Sequence, residues 1–402
     1  MITTEQKELV KATVPFLKEN GVALTDHFYK RMFAHHPDLK NLFNRGNQQN
    51  SKQQTALAMA VLAYAEHIEN PGVLMSVLDG IGQKHVSLGI RPEHYGIVGE
   101  HLLAAIAEVV GEGATPELLA AWEVAYFQLA DLMSGHEASL YKNRVAQQGG
   151  WTGWRPFTIK DKIKESTEIT SFYLYPTDGG AVADFQPGQY ISIKIFLPEL
   201  NLFQPRQYSI STAPNENYYR ISVKRETSAE PNLNGMISNH LHDNIAIGDV
   251  VDISAPSGNF ILQKTEKPVV FISGGVGQTP LVAMMESLLH SDSKREKVWI
   301  HGCRTTEVHA FKDQFDQWDT AHKSLEKHIF YSQFTPGQLP NGHYNGWVDL
   351  KAFDQEIRKD AEYYLCGPKL FIEKQYKDLL EFGIDKTNIY FEEFGPQSVQ
   401  LS

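Results

Sequence analysis

The feature that most constrains this chain is a switch, near residue 150, in the spacing at which apolar residues recur. Up to about Gln147 they return every three or four positions, as at Phe28, Met32 and Phe33 and at Leu118, Trp122 and Phe127. A 3.6-residue period places such residues on one face of a helix. Pro92 and Pro116 fall where helices would start, positions at which the missing amide hydrogen is not needed. The run Gln147-Gln148-Gly149-Gly150 interrupts the pattern, and from Trp151 onward the segments alternate as strands do, for example Tyr190 to Phe196 and Tyr219 to Val223. Beyond about Gln263 the texture changes again. An apolar strand, Val269 to Ser273, runs into a glycine turn and a helical stretch, Leu281 to Leu289, with further strands expected at Val298 to Cys303 and Tyr363 to Cys366. Strands that alternate with helices imply a parallel sheet. The expected fold is multidomain: all-α over 1–147, β over 152–262 and α/β over 263–402.

Three folded domains suit a chain of 402 residues that is 42% hydrophobic and 21% charged, with no low-complexity block. A formal net charge of -11 without a run of Lys or Arg excludes a nucleic-acid partner, because phosphate binding needs a concentrated basic surface. The two cysteines, Cys303 and Cys366, are too few for a disulfide framework or a thiolate cluster and fit a reducing cytosol. Met1 to Val10 lacks the basic flank and apolar stretch of a signal peptide, and Ala56 to Ala65 is too short to span a bilayer. A cytoplasmic monomer without a membrane anchor is expected.

Among sixteen histidines none identifies a metal site alone, so context has to. The segment Asp26-His27-Phe28-Tyr29 to Phe43, with Pro37 at its corner, resembles the second and third helices of a bacterial globin, and Phe43 stands where a globin packs an aromatic ring against haem. Gln53 and Leu57 follow at i,i+4, on one helical face that would roof the group. Gly82-Gln83-Lys84-His85 to Tyr95 resembles the globin proximal segment, and the resemblance makes His85 the axial ligand of haem b. It also implies Glu137 as acceptor of the second ring N–H of His85, with Tyr95 completing the proximal group. A carboxylate so placed makes the imidazole electron-rich and favours oxygen activation over storage. Tyr29 and Gln53 would donate hydrogen bonds to bound oxygen, and Leu57 would limit the space above the iron. One local departure stands out: Gly135-His136 precedes Glu137 where the family more often has an Arg.

Arg206-Gln207-Tyr208-Ser209 is similar to the flavin signature of ferredoxin-reductase-like proteins. Arg206 can pair with a pyrophosphate in a bidentate fork, Tyr208 offers a flat ring to the isoalloxazine, and Ser209 can bond its edge. Tyr190, in Pro187-Gly188-Gln189-Tyr190, is placed by the resemblance on the adenine side of FAD. Gly235-Met236-Ile237-Ser238 matches the helix start that relatives place beneath the pyrophosphate. The turn Gly274-Gly275-Val276-Gly277-Gln278-Thr279 after an apolar strand suits close backbone approach to a second pyrophosphate, that of NADH or NADPH, although it is not the usual GxGxxG fingerprint. Cys366-Gly367-Pro368 and Glu392-Glu393-Phe394-Gly395-Pro396 are similar to the same reductase family. The resemblance places Phe394 over the flavin and Lys84 and Glu392 near the flavin-to-haem path. Arg304, at the end of the second strand, is a candidate for a 2′-phosphate, and the choice of nucleotide stays open.

Taken in this order, the three motif sets resemble flavohaemoglobins over nearly the whole chain. The resemblance implies a globin, a six-stranded antiparallel FAD-binding barrel and an α/β NAD(P)-binding domain. It also implies an oxidoreductase that turns nitric oxide and O2 into nitrate. Two other readings are a haem-based gas sensor or oxygen carrier, and an NAD(P)H-dependent lipid hydroperoxide reductase, whose apolar pocket near Leu57 and Phe43 would hold a bound lipid.

Overall fold

The computed structural model describes residues 2–43, 51–228, 234–334, 339, 343–353 and 357–394. They fall into two compact units, the first comprising Met1–Arg155, Ser192–Arg206 and Asp252–Asn259, the second Pro156–Ile191, Gln207–Val251 and Phe260–Ser402.

The first unit is mostly helical: α1 (Thr4–Ala12), α2 (Val14–His35), α3 (Lys52–Glu66), α4 (Met75–Leu88), α5 (Pro92–Val110) and α6 (Pro116–Ala146). Helix α1 opens on a Thr3–Gln6 capping box, in which each side chain takes up an orphan amide of the first turn. Helices α5 and α6 begin at the two prolines, as the sequence predicts. The apolar faces converge on one core containing Phe28, Met32, Leu102, Ala121 and Trp122. Phe127 departs from the expected pattern. It is exposed, and Tyr126 takes the inward position, because 122 and 126 are four apart and 127 lies a further step round the helix.

Strands β1 (Arg155–Lys164), β2 (Ile169–Pro176), β3 (Tyr190–Leu197), β4 (Leu202–Ser209), β5 (Tyr219–Lys224) and β6 (Val250–Ile253) form a six-stranded sheet in the order β4-β3-β6-β1-β2-β5. The pairings β1–β2, β2–β5 and β3–β6 are antiparallel. Helix α7 (Met236–Asp243) starts directly after Gly235.

The α/β part of the second unit holds β7 (Val269–Gly274), α8 (Gln278–His290), β8 (Lys297–Cys303), α9 (Lys312–Ala321), β9 (Leu325–Tyr331) and β10 (His343–Asn345). It continues through β11 (Glu362–Gly367), α10 (Lys369–Glu381) and β12 (Ile389–Glu393). All pairings in the order β10-β9-β8-β7-β11-β12 are parallel. The chain winds outward from β7 to β10, then returns to place β11 and β12 on the other flank. The order therefore reverses between β7 and β11, and in such sheets a ligand binds outside the carboxyl ends of the strands at that point. Among the described residues no helix is long and apolar enough to cross a membrane.

Candidate haem, flavin and nucleotide sites

The first site is built at the end of α4. His85 lies in the last turn, and the helix stops at Gly89, whose φ of +77° lets the Ile90 amide reach back to the His85 carbonyl (3.0 Å). The Tyr141 hydroxyl pins the same turn by donating to the Ile90 carbonyl at 2.7 Å. His85 Nδ1 lies 2.8 Å from Glu137 Oε1 on α6, and the Tyr95 hydroxyl of α5 donates to that same oxygen at 2.6 Å. Tyr95 is itself held, because Tyr126 donates to its backbone carbonyl at 2.6 Å. Burial first, and then the hydrogen bond and charge of Glu137, push the Tyr95 hydroxyl far above its ordinary pKa, so it stays a donor.

With Nδ1 committed to Glu137, the lone pair of a neutral His85 is on Nε2, the atom a haem iron takes. The environment of Glu137 fits a cation beyond that ring. The carboxylate is 2% exposed, and its Oε2 has no hydrogen-bond partner among the described residues. A buried carboxylate satisfied on one oxygen alone is costly unless positive charge compensates it. The side chains Phe43, Leu57, Ile97 and Val98 pack on the helical core yet are only partly buried, as the walls of a site for a flat apolar macrocycle would be.

The distal candidates also come together. Tyr29 is buried on α2, its ring edge-on to Phe43 (centroids 5.7 Å apart) and stacked on Phe33 (5.9 Å). Gln53, from the first turn of α3, hydrogen-bonds the Tyr29 hydroxyl. Burial raises the Tyr29 pKa well above its ordinary value and the Gln53 bond only partly opposes this, so the hydroxyl keeps its proton. Leu57 follows one turn after Gln53 on the same helix. Lys84 adjoins His85 in sequence, on α4.

Sequence reasoning missed the support around this group. His136, at the departure from the family pattern, pairs with Asp79 of α4 at 2.8 Å. Gly82 of α4 makes room for it: a Cβ there would lie 2.9 Å from His136 Cδ2. A histidine therefore crosslinks the two helices that carry His85 and Glu137. Replacing Glu137 by Gln keeps the shape but removes the charge, and activity of the haem-loaded protein should fall about 10- to 100-fold. Steady-state turnover at equal haem content checks this, and a change below about twofold would remove Glu137 from the site.

In the six-stranded sheet, Arg206, Gln207, Tyr208 and Ser209 are consecutive at the end of β4, all partly buried, with Arg206 and Tyr208 on one face by alternation. Tyr190 opens β3. Gly235 caps α7 without a side chain, and a Cβ there would come within 2.5 Å of Ser238 Oγ. The chemistry of this set, a guanidinium, a flat phenol and a helix N-terminus, suits a flavin with a pyrophosphate.

At the sheet reversal, Gly274 ends β7, Gly275, Val276 and Gly277 make one 3-10 turn, and Gln278 and Thr279 start α8. Gly277 is packed against β11: a Cβ would lie 2.3 Å from the Cys366 carbonyl oxygen. Gly275 has a φ of +56°, and a Cβ there would meet nothing within 4 Å, so this backbone is open to a ligand. The Gln278 side chain is 1% exposed, and its amide finds no partner among the described residues, a polar group of the kind that marks a working site. Glu392 and Glu393 end β12, in register with Cys366 and Gly367, and Phe394 follows, partly exposed. Gly395 and Pro396 lie outside the described residues.

Three family models match the chain: globin over residues 26–133, oxidoreductase FAD-binding domain over 156–261 and oxidoreductase NAD-binding domain over 271–377. A flavohemoprotein from Bordetella pertussis is 49% identical, covering 99% of this chain and 100% of its own. One from Rhizobium meliloti is 47% identical, over 98% and 99%. The crystal structure of a flavohemoglobin from Malassezia yamatoensis with bound FAD and heme is similar, with a TM-score of 0.86 and 28% identity, covering 98% of this chain and 100% of that one. The FAD/NAD-binding domain of a nitric oxide dioxygenase from Vibrio cholerae matches with a TM-score of 0.56 and 37% identity, over 60% of this chain and 99% of that one. Globin, FAD-binding and NAD-binding modules in this order make an oxidoreductase that works with haem, FAD and a nicotinamide nucleotide, and the chain belongs to the flavohemoprotein family.

Proposed function

We propose that this chain is a nitric oxide dioxygenase, with O2 and nitric oxide as its small-molecule partners and NADH or NADPH as electron source. The observation that carries the reading is the pairing of two groups within the helical unit, His85–Glu137–Tyr95 around the buried Glu137 carboxylate and a protonated Tyr29 held by Gln53. Haem, when bound, supplies dioxygen binding and one-electron chemistry, which the protein orients and tunes. His85 would hold the iron through Nε2, while Glu137 draws on the Nδ1 proton and so makes the ring a stronger electron donor. Tyr95 fixes the carboxylate, and therefore the plane of the imidazole. On the other side, Tyr29 offers a hydroxyl whose burial keeps it protonated, and Gln53 fixes its direction. Such a donor stabilises negative charge that develops on oxygen, and it does so without reorganising.

We assign FAD to Tyr190, Arg206, Gln207, Tyr208 and Ser209, with Glu393 and Phe394, and the nicotinamide nucleotide to the 274–279 turn. Lys84 and Glu392 are electron-transfer tuning residues in this reading. A carrier or sensor would have no continuous need of such a reductase, which favours the enzyme. Replacing Tyr29 by Phe removes this hydroxyl donor and should speed dioxygen dissociation roughly 10- to 100-fold, with lower nitric oxide turnover. Stopped-flow displacement measures that rate. An unchanged rate would take Tyr29 out of the mechanism, and sustained hydroperoxide turnover exceeding that of nitric oxide would favour the peroxide reductase.

A further inference from the structure

The carboxyl end of β8 carries a cation that the reading above leaves without a task. In a doubly wound sheet the end of the second strand faces the adenosine ribose of a dinucleotide, where an acid favours a 2′-hydroxyl and an arginine a 2′-phosphate. Strand β8 is that second strand, and Arg304 follows it. Its backbone is fixed, because the Ser332 and Gln333 amides donate to the Cys303 and Arg304 carbonyls at 3.0 and 2.8 Å, extending the β8–β9 ladder. Its guanidinium is paired with the Glu168 carboxylate, which precedes β2. The arginine side chain is 53% exposed and the glutamate 20%, so the cation faces solvent with the carboxylate tucked beside it.

A second feature adjoins the same strand ends. The loop after β10 is anchored at Gly346, whose amide donates to the Tyr331 carbonyl of β9 at 2.9 Å. It is anchored again at Val348, which packs so closely on Gly302 of β8 that a Cβ there would lie 2.7 Å from Val348 Cγ2. Between these anchors Trp347 is 78% exposed. A tryptophan left in water on a loop fixed to the ends of β8 and β9 is a ready flat face for a base.

We infer that Trp347 is the stacking platform for the adenine of the nicotinamide nucleotide, and that the Arg304–Glu168 ion pair sets the choice between NADH and NADPH. This deepens the nicotinamide reading and rests on it. With Glu168 in place the guanidinium is already compensated, and a 2′-phosphate meets a neighbouring carboxylate that repels it. A 2′-hydroxyl meets no such cost. The pair is exposed and therefore weak, so NADPH still binds by recruiting Arg304, but NADH is preferred. Glu168 is thus a positioning residue for selectivity, and Arg304 is the group that reads the phosphate.

Titration calorimetry of the purified full chain with ADP-ribose and 2′-phospho-ADP-ribose reads this subsite without turnover. Glu168→Gln should tighten the 2′-phosphorylated ligand about tenfold and leave ADP-ribose within about twofold. Adding Arg304→Ala should erase that gain. Trp347→Ala should weaken both ligands about tenfold alike, while Trp347→Phe keeps most of the affinity. KM for NADPH and NADH should divide in the same way. An affinity ratio unchanged in Glu168→Gln overturns the selector, and unchanged affinities in Trp347→Ala overturn the platform. If the unaltered chain binds neither ligand, the nicotinamide reading itself falls, and this inference with it.

Discussion

Replacing His85 with alanine should strip haem from the protein while leaving its flavin in place. In the proposed assignment the two cofactors depend on different elements, haem on the end of α4 and flavin on the end of β4, so the loss should be selective. The effect should be large. Changes to the groups around a metal ligand cost about 10- to 100-fold, and removal of the ligand itself should exceed about 100-fold in haem retention or in nitric oxide turnover. It also leaves the Glu137 carboxylate buried with, among the described residues, Tyr95 as its remaining partner, which adds a stability cost. The ratio of Soret to flavin absorbance in the purified variant measures the first effect directly. NADH-driven flavin reduction should continue. A ratio equal to that of the unaltered protein would mean that another residue holds the iron.

Gly277→Ala should disable the reductase with the globin untouched. The added methyl would lie 2.3 Å from the Cys366 carbonyl oxygen of β11 and 2.7 Å from the Gly367 amide nitrogen, and these are backbone atoms that cannot swing aside. The turn between β7 and α8 must move, at a cost of about 1–3 kcal/mol, the usual range for overpacking. The functional loss should be greater, because a shift of roughly 1 Å in a positioning element can cost about 100-fold in rate. Stopped-flow reduction of the flavin by NADH gives the number. Reduction within about threefold of normal, in a protein that melts normally, would show that this turn does not set nucleotide geometry.

The local elements were legible because their signals are local. Pro92 and Pro116 start helices, the apolar run from Val269 is the central strand of the parallel sheet, and Gly235 precedes a helix as its motif implies. The long-range contacts were not. The pairing of His85 with Glu137 spans 52 positions and that of Tyr95 with Glu137 spans 42, distances over which periodicity carries no information. Only the family resemblance suggested them. The His136–Asp79 crosslink was invisible for the same reason, and Gly82 gave no hint that it was making room for a ring. The exposure of Trp347 was equally unreadable, since an aromatic residue in a sequence is read as core unless the fold says otherwise. Nor does alternation reveal which unit a strand joins: Ser192–Arg206 and Asp252–Asn259 group with the helices, and Gln204 Nε2 donates to the Lys40 carbonyl at 3.1 Å.

If electrons from a nicotinamide nucleotide drive the conversion of nitric oxide to nitrate in this chain, the ratio of nitrate to NADH is fixed. Nitric oxide consumption under air, followed with an electrode while NADH oxidation and nitrate are quantified, tests it most directly. Two nitric oxide molecules lose six electrons in becoming nitrate, and one NADH supplies two more, which together reduce two O2. Two nitrates should form for each NADH oxidised, with consumption abolished in His85→Ala. Nitric oxide left unconsumed while the haem-loaded protein oxidises NADH, or consumed without nitrate, would contradict it.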